Sequence, residues 1–367
     1  LALKNFALQS DTNSKKASSL VIGGIIIFVA MTAAYAVGYI IHLKIAPWNS
    51  RFSLPALPGL AIVVFTLIEI IITDLKKRHI LISILIGLLI GSQNQNTLNF
   101  KTVWEKQENL YQQLKWRGPS IKSGTAIIAN EEIVSYMGDY PLSFAINTLY
   151  EAKPANELPY WFFAISENFN FSIDKVFEED QLHTERASAV FLGNPEDVVF
   201  ITYEPENGQC LWVLRPEFSE HKHLPPNLKT AALRSNTNNI LEPAANFSVY
   251  NQIVDENTNT WCYFYQKAEL ARQKQDWTRI ISLWEEAQSR NLRPYNGFEY
   301  LPFIESYANL QKWDEAYNLT SRANKTTKAM YFLLCPTWER LTNETQPSEE
   351  KEKYSIDAYQ LLKCAVP

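Results

Sequence analysis

The chain lacks most of the local signatures by which a sequence announces its chemistry. Its soluble part has neither a Gly-x-Gly-x-x-Gly fingerprint nor a phosphate-binding loop, and its glycines there stand singly at turns, so no nucleotide site has motif support. No Lys/Arg-rich block occurs, and the formal net charge of -5 offers no basic surface that could track phosphates. A nucleic-acid partner is therefore not expected. Only His221 and His223 lie close together among the 5 histidines, beside Glu217 and Glu220 in a proline-rich stretch without a rigid scaffold. Metal ligation is not expected there, and no cofactor is evident. The 4 cysteines, Cys210, Cys262, Cys335 and Cys364, form no CxxC pair and lack the density of a disulfide scaffold. Buried free thiols are the plainer reading, with one long-range disulfide as the alternative for a domain outside the cell. No local motif supplies a Ser-His-Asp or Cys-His arrangement. The run Glu178-Glu179-Asp180 reads as a solvated acidic surface.

What the chain does have is an asymmetric distribution of apolar residues. Roughly the first quarter is dominated by Ile, Leu, Val, Ala and Gly, and the remainder mixes polar residues with scattered Trp, Tyr and Phe. After an N-terminal segment, 1–19, a transmembrane region is expected over 20–96. The stretch 20–41 carries no charge and is long enough, at about 1.5 Å per residue, to cross a hydrocarbon layer of about 30 Å. Gly23, Gly24, Ala30, Ala33, Ala34 and Gly38 would let another helix approach it closely in lipid. A second span is expected at 54–73, where Glu69 can pair with the nearby cluster Lys76-Lys77-Arg78. A third, 79–96, has a short apolar core, Ile80 to Gly91, so it either crosses by recruiting flanking polar residues or is re-entrant. Lys15-Lys16 and Lys76-Lys77-Arg78 set the cytoplasmic side. The loop from His42 to Ser53 then faces outward, as does everything after Gln93 if the third segment crosses. The absence of an initiator Met before Leu1 leads us to expect further sequence upstream.

A juxtamembrane amphipathic helix is predicted over 97–119, carrying Phe100, Trp104, Tyr111 and Leu114 at helical spacing and ending at Gly118-Pro119. It either lies on the membrane surface or packs on the next domain. Residues 120–216 read as a small α/β or α+β domain. Ala187–Leu192, Asp197–Tyr203 and Cys210–Leu214 are expected there as a β meander, separated by tight turns. Residues 217–260, rich in Pro, Asn and Ser, read as a linker region.

Residues 261–367 are helical by pattern. Trp261–Lys274, Trp277–Arg290, Phe298–Leu310 and Trp313–Ala323 are expected helices, and the triplets Gln275-Asp276-Trp277 and Gln311-Lys312-Trp313 recur thirty-six residues apart, as do Ala287 and Ala323. This pair of units resembles the tetratricopeptide repeat through the aromatic residue opening each second helix and the later small residue. Ile280 and the displaced Pro294 depart from that family's pattern. Further helices near Lys328–Leu341 and Ser348–Leu362 would cap the stack. The resemblance implies an interaction surface for a protein or peptide partner, with Tyr265, Trp277, Tyr307 and Trp313 as candidates. Core packing is the plainer role for Trp277, Trp284 and Trp313.

The segment Pro47-Trp48-Asn49-Ser50-Arg51-Phe52-Ser53-Leu54-Pro55-Ala56-Leu57-Pro58-Gly59 resembles the Arg-aromatic-x-Leu-Pro-x-x-Pro signature of late outward loops in GT-C glycosyltransferases, polytopic membrane enzymes that use lipid-linked sugars. The resemblance implies that Arg51, with Trp48, contacts the phosphate of a polyprenyl-phosphate sugar, and that the acidic catalytic residue lies upstream of Leu1. The residues alone permit a simpler role, with Trp48, Arg51 and Phe52 as interfacial anchors and the prolines opening a helix. The expected fold is thus a membrane α-helical N-terminal region, a soluble α/β or α+β domain and an all-α tetratricopeptide-like C-terminal domain. The expected location is the plasma membrane, with the soluble part outside. The function expected is that of a GT-C-like transferase, or alternatively of a non-enzymatic membrane-anchored interaction protein.

Overall fold

The structure is a computed structural model that describes residues 2–36, 51–135, 137–150, 156–186, 188–220, 224–242 and 256–364. Two compact units divide the chain, Leu1–Thr102 and Val103–Pro367. The first unit holds helix α1 (Ala2–Ala36), a 3-10 turn at Arg51–Ala56, α2 (Leu57–Ile71) and the start of α3 (Leu75–Arg117). Two stretches, Ser14–Ala33 and Ser53–Ile71, are long and apolar enough to cross a membrane. Pro58, near the start of α2, costs no hydrogen bond because the first helical amides have no partner.

α1 and α2 meet at two glycines. A methyl group on Gly59 would stand 2.7 Å from the Gly23 carbonyl oxygen, and one on Gly23 would stand 2.7 Å from the Val63 side chain, whereas Gly24 faces open space. Of Gly23 and Gly24, Gly23 is therefore the one that sets the approach. Lys16 donates to the Glu69 carbonyl oxygen at 3.2 Å, and Glu69 pairs with Arg78 at 2.5 Å. The expected pairing of Glu69 with the basic cluster is thus formed, at the end of α2 where Lys16 also sits.

Of the two alternatives for the third apolar stretch, the structure bears on re-entrance. The stretch is not among those that satisfy the length and apolarity of a span, because Lys76-Lys77-Arg78 and Gln93-Asn94-Gln95-Asn96 bound a run of only about twelve residues. It is also not re-entrant, since α3 continues as one helix of 43 residues with no chain reversal. The separate juxtamembrane helix expected at 97–119 is the far half of this same helix. No helix breaker intervenes before Gly118, whose amide closes the last turn on Leu114. Leu110, Leu114 and Trp116 are buried, so this end packs on protein and does not lie on a membrane surface.

In the second unit, β1 (Ser120–Ile121) leads into β2 (Thr125–Ala129), α4 (Asp139–Leu149) and β3 (Tyr160–Ala164). Short helices α5 (Ile165–Asn168) and α6 (Asp174–Glu178) precede the hairpin β4 (Leu182–Arg186) and β5 (Ala189–Gly193). Then follow β6 (Val198–Thr202), β7 (Trp212–Val213), α7 (Pro226–Arg234) and β8 (Ile240–Leu241). The main sheet has the order β3-β2-β6-β7, with β2 parallel to both β3 and β6 and β7 antiparallel to β6. This corrects the expected meander. β5 pairs with β4, and β6 pairs with the distant β2, because its Val-Val-Phe-Ile run is buried on both faces as a central parallel strand requires. The described part of the expected linker also holds regular elements. Pro226 occupies the first turn of α7, where proline is favoured, and β8 returns to pair with β1.

Six helices complete the unit: α8 (Trp261–Gln273), α9 (Trp277–Ser289), α10 (Leu301–Asn309), α11 (Trp313–Thr326), α12 (Tyr331–Glu344) and α13 (Glu349–Leu362). Thr260, Asp276 and Ser348 cap α8, α9 and α13 by accepting backbone amides with their side chains. Gln275 and Gln311, equivalent in the thirty-six-residue repeat, both adopt left-handed backbone at φ 58° and 60° just before a tryptophan-led helix. Asn291 and Lys363 do the same after α9 and α13.

All four cysteines are paired, which overturns the free-thiol reading. Cys210–Cys262 ties the strand-bearing part to the first turn of α8, and Cys335–Cys364 ties α12 to the residue just beyond α13. With closed segments of 52 and 29 residues, the chain-entropy account gives contributions of about 4 and 3.5 kcal/mol. The purified, unreduced protein should show no thiol reactive with a maleimide after denaturation, and Cys210→Ser with Cys262→Ser should lower the urea midpoint. Four reactive thiols in unreduced protein would contradict the pairing. In the first unit, Gly59→Leu should separate α1 from α2, read as loss of a cross-link between cysteines introduced on the two helices. A variant that cross-links as well as the parent would show that the glycine contact is dispensable.

Candidate functional site: a charged groove on the helices

The residues singled out in the sequence fall in very different places. Arg51 heads the 3-10 turn that leads into α2, and Trp48 lies outside the described residues, as do His221 and His223. Tyr265, Tyr307 and Trp313 are buried, so they pack the helical core and cannot form a partner-facing surface. Their size and apolar rings, which suggested recognition, are used to fill the space between helices. Trp277 is half-buried and borders a groove.

That groove, about 290 Å³ in volume, is walled by Arg117 at the end of α3, Arg215 after β7, Glu269 and Arg272 of α8, Glu305 of α10 and Arg340 of α12. Glu305 is its centre. Arg272 places both Nε and Nη2 on the Glu305 carboxylate, and Arg340 Nη2 reaches the same oxygen, Oε1, at 2.7 Å. Arg215 Nη2 lies 3.4 Å from Glu269 Oε1 and its Nη1 lies 3.9 Å from Glu217. Its guanidinium also covers the Phe218 ring at 4.9 Å. Arg117 donates to Gln273, whose amide in turn donates to the Thr237 and Ile240 carbonyl oxygens. Four guanidinium groups therefore meet the carboxylates of Glu217, Glu269 and Glu305, and Arg340 Nη1 also pairs with Glu344 at 3.1 Å, so the charges balance.

Burial shapes the protonation of these groups. It lowers the pKa of Arg117 to about 10, with Glu269 opposing the shift and Arg215 adding to it. Burial opposes the charge on Arg215 as well, but Glu269, Glu217 and Glu305 together hold its pKa above the ordinary value. Glu269 and Glu305 are raised by burial against the pull of their arginines. Every member has at least one charged or amide partner, so the groove is arranged to hold a ligand or to fasten elements together. It offers no activated nucleophile.

A second carboxylate, Glu299, stands just before α10 and is fully buried. It accepts the Cys210 amide at 2.9 Å, Trp261 Nε1 at 2.6 Å and the Tyr295 amide at 3.2 Å. Burial pushes its pKa up to about 7 against these donors.

The groove residues went unnoticed in the sequence because they come from α3, the β7 exit and three separate helices. One signal was available: Glu269 and Glu305 are thirty-six residues apart, the same offset as the repeated triplets. Among the described residues no group of His, Cys, Asp and Glu is placed to hold a metal ion. Comparison with protein-family profiles, curated proteins and solved structures finds no match for the chain.

Removing Glu305 leaves Arg272 only Glu217, at 3.5 Å, and Arg340 only Glu344, at 3.1 Å, so Glu305→Ala should cost about 3 kcal/mol in denaturant unfolding. A loss below about 1 kcal/mol would show that solvent already screens the pairs. A carboxyl whose folded pKa is raised contributes stability that is complete below its unfolded value and is lost as pH rises through the folded one. Stability should therefore decline between pH 4.5 and about 7, and Glu299→Gln should remove up to about 1.4 kcal/mol per pH unit of that slope. An unchanged slope in the variant would assign the decline to other carboxyls.

Proposed function

We propose that the chain is the C-terminal part of a GT-C-like membrane transferase that uses a polyprenyl-phosphate-linked sugar, with an extracytoplasmic domain that positions the acceptor or a partner. The observation that carries this reading is the position of Arg51. It heads the turn entering the apolar helix α2, within a segment that resembles the outward loops of that enzyme class, and a guanidinium at a membrane interface can fork onto a lipid phosphate. The two disulfides support an oxidising compartment for the second unit, the outward side to which the basic clusters also assign the Arg51 loop. On this reading the apolar stretch of α3 crosses the plasma membrane, with Ser92 to Asn96 at membrane depth against other helices of the full protein.

The second reading is a non-enzymatic membrane-anchored scaffold whose tetratricopeptide-like helices dock a protein or peptide. It draws on the charged groove, whose arginines and carboxylates could exchange their mutual pairs for those of a charged peptide segment. Transfer kinetics separate the two. In the full-length protein, Arg51→Ala should lower transfer from a polyprenyl-phosphate sugar at least ten-fold with expression and melting temperature unchanged. Full transfer by the variant would remove Arg51 from the donor site, and no transfer by the parent protein would favour the scaffold.

A further inference from the structure

Three of the four guanidinium groups in the charged groove have a carboxylate within ion-pair distance: Arg215 has Glu217 and Glu269, Arg272 has Glu217 and Glu305, and Arg340 has Glu305 and Glu344. Arg117 has none among the described residues. Glu269 attracts it from farther off, and Arg215 repels it. The side chain is nevertheless only 2% exposed. A buried cation without a close counter-ion is costly, and the carbonyl end of α3, where Arg117 stands, offsets only part of that cost.

The hydrogen bonds show which edge of the group is in use. Arg117 Nη1 donates to Gln273 Oε1 at 3.1 Å, while Nε and Nη2 have no hydrogen-bond partner among the described residues. Unlike the partnerless Nε and Nη1 of Arg215, which are enclosed, these two nitrogens retain access to the groove that Arg117 helps to wall. Nε and Nη2 form the edge that grips a carboxylate side-on, and Arg272 uses the same two atoms to hold Glu305 in this groove. Arg117 thus presents the same fork with no protein carboxylate on it. Gln273 fixes its orientation, because its amide nitrogen donates to the Thr237 and Ile240 carbonyl oxygens at 2.8 and 3.1 Å and so holds in place the oxygen that accepts Arg117.

The surroundings narrow the ligand. A cation would be repelled by the guanidinium, and a phosphate dianion would set its second charge against Glu269 and Glu217. A single carboxylate matches one fork and one charge. The groove wall adds the polar side chains of Thr237, Asn238 and Gln275 and the half-buried ring of Trp277, and its volume of about 290 Å³ is at the low end for small-molecule pockets.

We infer that the Nε and Nη2 edge of Arg117, held by Gln273, binds the carboxylate of an organic monoacid in this groove. This rests on neither reading of the function, since binding is measured without transfer and its failure leaves the Arg51 test untouched. The purified chain in detergent would be titrated calorimetrically with benzoate, N-acetylglycine and glucuronate, each beside its uncharged amide. Phenyl phosphate would serve as the dianion, and a glutamate tripeptide blocked at both ends as the peptide-borne carboxylate. At least one carboxylate should bind, with its amide and phenyl phosphate about ten-fold weaker. Arg117→Lys, which keeps the charge and loses the fork, should weaken binding about ten-fold. Arg117→Met should abolish binding without lowering the melting temperature, because it removes a buried charge that no close carboxylate faces. Binding of the free acids marks a small-molecule site, and binding of the peptide alone marks a carboxylate carried on a polypeptide; either supports the fork. The inference is overturned if no carboxylate binds, if the amides or phenyl phosphate bind equally well, or if Arg117→Lys binds like the parent. A large fall in melting temperature for Arg117→Met with binding undiminished in Arg117→Lys would make the guanidinium a structural fastening instead.

Discussion

Glu299 and the Cys210–Cys262 disulfide form the fastening on which the second unit depends. The carboxylate takes the amide of Cys210 on one side and the indole of Trp261, the neighbour of Cys262, on the other, so the covalent bridge and the hydrogen bonds hold the same two chain segments. A buried carboxylate without donors would be costly, and buried amides without acceptors equally so; here each reduces the other's penalty. Gln113 extends the fastening by accepting the Leu211 amide and the Gln266 side chain, which ties α3 into the same junction. The charged groove lies beyond it, and its pairs hold their geometry because the strands and helices that carry them are already fixed.

The first unit, with two stretches long and apolar enough to cross a membrane, faces a different problem. Lipid would offer no hydrophobic incentive for two apolar helices to associate, so close packing and polar contacts would have to do it. Gly23 and Gly59 allow backbone contact in the apolar region, and Glu69 with Arg78 and Lys16 supplies polar contacts at one end. The carboxylate that looked anomalous in an apolar stretch is one turn from the helix end, where its charge is matched.

Local pattern made the helices readable. The boundaries of α8, α9, α11 and α13 fall within a few residues of those expected, because tryptophan openings, capping side chains and the thirty-six-residue offset are all local signals. Glu69 was readable for the same reason, its partner being nine residues away. Non-local pairing was not. β6 resembles a meander strand until its partner β2, more than seventy residues earlier, is known, and the disulfides join cysteines whose spacing says nothing of their proximity. The prolines near 225 were misread because the same residue that breaks a helix interior also opens a helix. The groove draws side chains from segments more than fifty residues apart, so it forms no motif. In the aromatic residues of the helices, composition identified importance but not orientation, and most point inward.

The left-handed turns at Gln275, Asn291 and Gln311 bear on how stiff the helical array is. Glycine is the usual residue there, and it moves through a broad range of backbone angles at little cost. A residue with a side chain has only a narrow left-handed well, entered at a cost of about 1–2 kcal/mol and left only by disrupting the joint. These joints therefore resist small bending better than glycine joints would, having given up some folding stability for low compliance. A row of helices connected in this way behaves as a preset frame, and a partner fitting its groove would find the shape already made.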